Sequence, residues 1–218
     1  MKTIAFVPIK LNSLRLPHKN ILPLAGKPLC WHICNSLLKS KGIDEVYVFC
    51  SDEDVRKYVP QDIIFKKREK WLDGDDVKGF DIYREFLKEV DADVYVLAHT
   101  TSPFIKVSSI ENALTHILDG EYDSAFSAER IQTFAWYHGK PINYNLNDVP
   151  RTQDLDAIWI ETSAFFMFKK EVFTAHNRRI GFKPYIQEVA GIEAIDIDEK
   201  KDYDLACLMA KMEGVFYE

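Results

Sequence analysis

The residues best suited to chemistry near the start of the chain form a basic loop behind an apolar run. Residues 4–9 read Ile-Ala-Phe-Val-Pro-Ile, and the loop that follows carries Lys10, Arg15 and Lys19 without an acidic residue. Open α/β sheets form anion sites in this way, where a buried strand opens into a cationic loop. The loop has no glycine before Gly26, so it is neither a Walker loop nor a dinucleotide fingerprint. Its side chains must therefore bind the anion, and the pattern predicts a polyphosphate ligand.

The plainer interpretation of this loop is a solvated basic turn. The uncharged donors Asn12, Ser13 and Asn20 favour the anion site, and so does a formal net charge of -6, which makes the basicity local. The acidic balance argues against nucleic-acid binding. No apolar run approaches the roughly 20 residues of a membrane span, and the first residues lack a signal-peptide cleavage site. We therefore expect a cytoplasmic protein without a membrane partner, and we expect its four cysteines to be buried, reduced thiols.

Apolar runs of strand length alternate with segments of helical periodicity. This alternation predicts right-handed βαβ units, and hence a doubly wound α/β fold of Rossmann type with a mostly parallel sheet. The chain length suits a single domain over residues 1–218. The predicted strands are 4–8, 46–50, 63–65, 94–98, 125–128, 164–168 and 192–197. The predicted helices are 28–40, 77–90, 107–118 and 199–212.

The alternation stops at residues 130–156. This segment is rich in aromatic residues, asparagine and proline, as in Trp136, Tyr137 and Tyr144, and it has no helical period. It predicts a small arm or lid inserted into the domain, which either covers a site or packs on a partner.

Two carboxylates near the end of the chain could hold a metal ion. Asp196 and Asp198 are spaced i,i+2, so an extended backbone would project both to the same side, and carboxylate oxygens are preferred ligands of Mg²⁺. The alternative is that Asp198 caps the last helix.

Several motifs resemble those of one enzyme family. They are Lys10-x-x-Ser13-x-Arg15-Leu-Pro17-x-Lys19-Asn20, Leu24-x-Gly26-Lys27-Pro28-Leu29, Leu97-x-x-x-Thr101-Ser102-Pro103, and Ile195-Asp196-Ile197-Asp198 followed by Asp202. Their order and spacing over residues 3–210 resemble the acylneuraminate cytidylyltransferases, which are CMP-sialic acid synthetases. The CMP-Kdo synthetases share part of the pattern. The match is specific for the family and weak for the substrate.

The resemblance implies an Mg²⁺-dependent homodimer that converts CTP and an acidic sugar into a CMP-sugar and pyrophosphate. The implied catalytic residues are Lys10, Lys19 and Asp198. The implied nucleotide-binding residues are Lys10, Asn12, Ser13, Arg15, Lys19, Asn20, Arg68 and Asp75. The implied acceptor-binding residues are His99, Thr101, Ser102, Arg151, Gln153 and Glu161. Arg151 would hold the acceptor carboxylate, and the alternative for it is a surface salt bridge to Asp154 or Asp156. The implied metal ligands are Asp196 and Asp198.

The sequence departs from the family pattern at three places. Lys10 stands where the family has arginine, so the charge is kept and the bidentate fork is lost. His99 stands where sialic acid enzymes have glutamine, and it could contact the acceptor, accept a proton or be structural. Residues 159–163 lack an arginine that the family carries there. The last two departures lie on the acceptor side.

Two other functions stay open at this point. One is CTP-dependent transfer to a different acidic or phosphorylated acceptor, and the other is nucleotide binding without catalysis. Hydrolysis by a nucleophilic triad and hydride transfer have no support, because the Gly-x-Ser-x-Gly elbow and the glycine fingerprint are both absent from the sequence.

Overall fold

The structure is a computed structural model that describes residues 1–13 and 15–212. Its strands are β1 (Thr3–Pro8), β2 (Pro23–Leu24), β3 (Lys27–Pro28), β4 (Glu45–Cys50), β5 (Ile64–Lys67), β6 (Val94–Ala98), β7 (Ser124–Ile131), β8 (Trp136–Tyr137), β9 (Lys140–Pro141), β10 (Ile158–Lys169) and β11 (Pro184–Glu188). Its α-helices are α1 (Leu29–Lys39), α2 (Gly79–Glu89), α3 (Val107–Leu118), α4 (Lys170–His176) and α5 (Lys200–Met209).

The central sheet is covered by helices on both faces, because its inner strands are apolar on both sides. Successive side chains of a strand point to opposite faces. In β1, Ala5 and Val7 pack in a core with α1 and α3, whereas Ile4 and Phe6 pack in a second core with α2 and α4. The Phe6 ring stacks on Phe86 of α2 with 4.3 Å between the ring centroids. The predicted doubly wound α/β fold is therefore confirmed.

The sheet is mostly parallel, as predicted, with one antiparallel strand. Among the described residues its strand order is β11-β7-β10-β6-β1-β4-β5. Strand β10 runs antiparallel to both of its neighbours, β6 and β7, and the remaining pairs are parallel. The carboxyl ends of β1, β4 and β6 therefore meet at one edge of the sheet, where open α/β sheets bind ligands.

The last part of the chain corrects one prediction. Residues 192–197 do not form a strand: Gly191–Ala194 is a 3-10 helix and an irregular segment follows it. The Glu193 carboxylate lies at the start of α3, where it accepts hydrogen bonds from the Lys106 amide (2.9 Å) and the Ser109 hydroxyl (2.6 Å). These contacts fix a turn where the apolar alternation had predicted extended backbone. The sequence reading also missed α4 and β11.

The aromatic segment lies between the long strands β7 and β10, outside the central sheet. The small hairpin of β8 and β9 forms its centre. Trp136 and Tyr137 are 54% and 66% exposed, and Ile142, Leu146 and Val149 are also exposed. Residues 132–157 are called the arm below.

The cysteines are free thiols, and Cys30, Cys34 and Cys50 are buried. Burial raises the pKa of Cys30 to about 12, so this thiol stays protonated and unreactive at neutral pH. No helix within the described ranges is long and apolar enough to cross a membrane.

Candidate active site

The loop after β1 is tied to the end of β6 by one buried asparagine. Asn20 donates to the Lys10 carbonyl at 2.6 Å and accepts from the Thr100 hydroxyl at 2.6 Å. Asn20 and Thr100 are buried, so both bonds are shielded from water. Asn20 therefore shapes the backbone of the loop and positions Lys10 at the mouth of the cleft.

The basic residues of this loop meet the carboxylates that follow the 3-10 helix Gly191–Ala194. Arg15 Nη1 lies 2.7 Å from Asp198 Oδ2, and Lys19 Nζ lies 3.1 Å from Asp198 Oδ1. Burial raises the pKa of Asp198, but the hydrogen bonds and charges of Lys19 and Arg15 outweigh burial and hold that pKa below its usual value. Asp198 is therefore ionised at neutral pH.

Asp198 does not cap the last helix with its side chain. The N-cap of α5 is Glu199, and the Asp202 carboxylate accepts from the backbone amides of Asp198 (3.1 Å) and Glu199 (2.8 Å). The capping box thus leaves the Asp198 carboxylate turned toward Lys19 and Arg15.

Asp196 lies in the same cleft in a different environment. Burial raises the pKa of Asp196, the Thr101 hydroxyl offsets this as a hydrogen-bond donor, and the charge of Asp198 adds to the increase. Its Oδ1 atom is buried and has no hydrogen-bond partner among the described residues. A buried carboxylate oxygen without a donor is costly, and a cation would satisfy it.

Asp196 and Asp198 suit a divalent cation whose remaining ligands come from a bound substrate and water. Over residues 1–13 and 15–212, no cluster of three or more His, Cys, Asp or Glu side chains could hold a metal ion alone. Mg²⁺ is usually bound by one or two carboxylates together with water and substrate phosphates. The orphaned Asp196 oxygen and the neighbouring Asp198 match that donor set.

His99 is fixed at the carboxyl end of β6 by an irregularity in β10. Its Nδ1 lies 2.6 Å from the Ser163 carbonyl, which can only accept, so Nδ1 carries the proton and Nε2 keeps its lone pair. Ser163 has a φ of 60°, in the left-handed region, and residues 162–165 lie opposite the single residue Ser127 of β7. This β-bulge turns the Ser163 carbonyl toward the ring of His99.

His99 is neutral at physiological pH. Burial lowers its pKa, the hydrogen bond to Ser163 opposes this, and the positive charge of Arg179 lowers the pKa further. The Nε2 atom lies 3.5 Å from the Tyr83 hydroxyl. At that distance the Tyr83 hydroxyl donates only weakly to Nε2, so the lone pair of this neutral imidazole can still accept a proton.

Arg179 is a residue of the cleft that sequence reasoning missed. It comes from the segment between α4 and β11 and lines the same cavity as His99, Ser163 and Asp196. The residue has no motif around it, and only the path of the chain after α4 brings it here, so no local signal could have found it.

The remaining predicted nucleotide residues divide into two groups. Asn12, Ser13 and Asp75 line the mouth of the cleft beside Lys10, and Lys10 Nζ lies 2.8 Å from Asp75 Oδ1. Arg68, in contrast, is buried: it pairs with Asp73 (Nη2 to Oδ1 2.5 Å) and donates to the Phe49 carbonyl at 3.4 Å. The contacts of Arg68 are thus those of a buried structural residue.

The predicted acceptor residues are not all brought together. Thr101 lines the cleft beside His99, whereas Ser102 is fully buried behind it. Arg151 lies in the arm with its side chain 73% exposed and forms a fork with Asp154 at 2.6 and 3.0 Å. Gln153 is exposed in the arm, and Glu161 of β10 lies 3.3 Å from Arg179.

Comparison with known proteins matches this arrangement to one family. Residues 4–218 match the family model described as cytidylyltransferase. The chain belongs to the cytidylyltransferase family. It is 25% identical over 214 residues to the N-acylneuraminate cytidylyltransferase of Streptococcus agalactiae serotype III, and the aligned region covers 93% of this chain and 52% of that protein. It is 28% identical over 205 residues to N-acylneuraminate cytidylyltransferase A of Danio rerio, with 89% and 47% covered.

A more distant relative is the 3-deoxy-manno-octulosonate cytidylyltransferase of Escherichia coli, 29% identical over 118 residues, with 54% of this chain and 47% of that protein covered. The chain spans about half the length of the two N-acylneuraminate cytidylyltransferases that it matches. Among solved structures, CMP:2-keto-3-deoxy-manno-octonic acid synthetase complexed with CTP superposes with a TM-score of 0.73 at 20% identity, covering 97% of this chain and 99% of that one. At this identity the match supports the fold, and the predicted family is confirmed by the family model.

Proposed function

We propose that this member of the cytidylyltransferase family transfers CMP from CTP to an acidic sugar and releases pyrophosphate, with Mg²⁺ bound at Asp196 and Asp198. The observation that carries the proposal is the pairing of Arg15 and Lys19 with Asp198 in one cleft at the carboxyl ends of the parallel strands. Such a site holds both the cations for a triphosphate and the carboxylates for a metal.

Arg15 and Lys19 bind the triphosphate by exchanging their ion pairs with Asp198 for ion pairs with phosphate oxygens. Each Asp198 oxygen faces one cation in this structure, and phosphate oxygens compete with it for Lys19 and Arg15. When these cations move to the phosphates, the Asp198 carboxylate becomes available beside Asp196. Mg²⁺ bound there would supply further neutralisation of phosphate charge.

The acceptor hydroxyl attacks the α-phosphorus, the bond to the leaving pyrophosphate breaks, and the hydroxyl loses its proton. The neutral Nε2 of His99 is placed to accept that proton, since Nδ1 donates to Ser163. Lys19, which is 9% exposed, holds its positive charge in a site largely shielded from water, where it stabilises developing charge most strongly.

The names of the sialic acid and Kdo relatives support a carboxylated sugar as acceptor. A phosphorylated acceptor is the alternative. We also propose that the arm mediates formation of a homodimer, because it exposes a set of large apolar side chains outside the core.

Pyrophosphate release with Mg²⁺ tests the function. CTP, UTP, ATP and GTP are each offered with N-acetylneuraminic acid, Kdo and 2-C-methyl-D-erythritol 4-phosphate. We expect release with CTP and an acidic sugar. Release only with the phosphorylated acceptor would establish the alternative acceptor, and CTP binding without turnover would establish a non-catalytic protein.

Two matched pairs of variants locate the activity. Lys19→Gln and Asp198→Asn should each lower kcat/KM by about 100-fold or more, because they remove charge from the reacting groups. Lys57→Gln and Asp54→Asn make the same chemical changes in an exposed ion pair outside the cleft, with 66% and 63% of the side chains exposed. Equal activities in the two pairs would show that the cleft is not the catalytic site.

A further inference from the structure

Arg179 provides a positive charge in the part of the cleft that faces His99. Lys10, Arg15 and Lys19 line two adjoining cavities: one at the mouth of the cleft, beside Asp75, and one that also contains His99, Asp196 and Arg179. A triphosphate bound by these three residues at the mouth would leave Arg179, which lines only the second of these cavities, for another anionic group.

The guanidinium of Arg179 is held by its flat face. Its Cζ atom lies 3.6 Å from the centroid of the Phe166 ring, and Phe166 is fully buried in β10. Stacking uses the face of the group and leaves the N–H donors at its edge directed outward. This arrangement orients the plane of the guanidinium before any ligand binds.

The edge donors of Arg179 are lightly used. Its Nη2 lies 3.3 Å from Glu161 Oε2, beyond the short range of charge-assisted bonds, and the group also interacts with the Tyr83 hydroxyl. A guanidinium has five N–H donors. Because 27% of the Arg179 side chain and 44% of the Glu161 side chain are exposed, an incoming carboxylate can displace Glu161.

We propose that Arg179 binds the carboxylate of the acceptor and so selects carboxylated acceptors; this rests on the proposed function. A carboxylate matches the planar fork of the guanidinium and is held in one orientation by two parallel bonds. Bound there, the acceptor has its carboxylate beside His99, with the reacting hydroxyl between Nε2 and the nucleotide. Arg151, which the family resemblance implied for this role, lies in the arm and does not line the cavity that holds His99 and Arg179; it pairs with Asp154 instead.

The test compares Arg179→Gln, Arg179→Lys and Arg151→Gln in steady-state assays with CTP and N-acetylneuraminic acid or Kdo. Arg179→Gln should raise the KM for the acceptor by about 10- to 100-fold, the range for lost charge-assisted hydrogen bonds. The KM for CTP should stay within about twofold. Arg179→Lys should recover part of the loss, because it keeps the charge without the fork. Arg151→Gln should raise the KM for the acceptor by much less than Arg179→Gln does.

A substrate analogue tests the same idea without relying on a variant. The unmodified protein should discriminate against the methyl ester of N-acetylneuraminic acid, and Arg179→Gln should lose most of that discrimination. An unchanged acceptor KM in Arg179→Gln, or an increase in Arg151→Gln instead, would overturn the assignment. Turnover restricted to 2-C-methyl-D-erythritol 4-phosphate would also overturn it while leaving cytidylyl transfer intact.

Direct binding separates this inference from the proposed function. If no nucleotide is turned over, saturation-transfer NMR with N-acetylneuraminic acid and its methyl ester decides the role of Arg179. The carboxylate site would be supported in a non-catalytic protein if the acid binds more tightly than its methyl ester and if Arg179→Gln weakens binding of the acid. Equal binding of acid and ester would contradict it.

Discussion

Replacing Asp73 with asparagine should destabilise the protein, because Arg68 would be left buried without its counter-charge. The Arg68 side chain is 2% exposed, and Asp73 meets it through Nη2 at 2.5 Å and Nε at 3.2 Å. Removing one partner of a buried pair costs about 3–5 kcal/mol. Since the Asp73 side chain is 24% exposed, we expect the lower end, about 3 kcal/mol. For a domain of this size that corresponds to a decrease in Tm of roughly 6–12 °C.

Differential scanning calorimetry of Asp73→Asn and Asp75→Asn provides the comparison. The two substitutions change the same chemical group two positions apart, but Asp75 pairs with Lys10 and is 59% exposed. An exposed pair contributes at most about 1 kcal/mol, so Asp75→Asn should lower Tm by no more than about 4 °C. If Asp73→Asn lowers Tm no further than Asp75→Asn, the Arg68–Asp73 pair does not stabilise the protein as a buried ion pair. A nucleotide-binding role for its guanidinium would then regain support.

Three further predictions concern the carboxylates, the histidine and the arm. Asp196→Asn should abolish Mg²⁺-dependent pyrophosphate release, yet its Tm at pH 7 without metal should equal or exceed that of the unmodified protein. Burial raises the pKa of Asp196, so its ionised form destabilises the folded protein at pH 7, and the neutral amide lacks this penalty. A large decrease in Tm would contradict this. The pKa of His99 is lowered in the folded protein, so the unfolded chain binds a proton that the folded chain does not, and the free energy of unfolding falls as pH decreases below about 6.5. In urea unfolding between pH 7 and pH 5, His99→Gln should show a shallower fall than the unmodified protein; the buried His32 is present in both and does not account for the difference. Parallel curves would refute the reasoning. Replacing Trp136 and Tyr137 with serine should convert dimers to monomers in multi-angle light scattering, and unchanged dimers would exclude the arm as the contact.

Local patterns were sufficient to predict the elements on which burial imposes a regular apolar pattern. Strand β6, which is buried on both faces, and helix α3, which is buried along one face, were located from apolar residues at strand and helix spacing. Strand β11 was missed because Pro184, Tyr185 and Gln187 mix polar and apolar residues at the edge of the sheet, where burial no longer imposes a pattern.

The candidate site was predictable where motifs carried it. Lys10, Lys19 and Asp198 stand in motifs with charged residues at fixed spacing, and the structure places them in one cleft. Arg179 stands in no such motif, because its position depends on the fold after α4 and on stacking with Phe166. Long-range placement of this kind has no local signature in the chain.

The bulge in β10 decides which side chains of this strand face Arg179 and the cleft. Cross-strand partners share a face of the sheet, and the two halves of β10 pair with β7 in registers that differ by three residues. Phe166 lies opposite Phe126, and Glu161 lies opposite Ala128, on the same face, although 161 and 166 differ by an odd number. Without the bulge, Glu161 would face α1 and α3, away from Arg179. In proteins with this strand, inserting or deleting one residue at 162–165 would therefore exchange all the side chains that residues 158–161 turn toward the cleft at once, whereas a point substitution changes one of them.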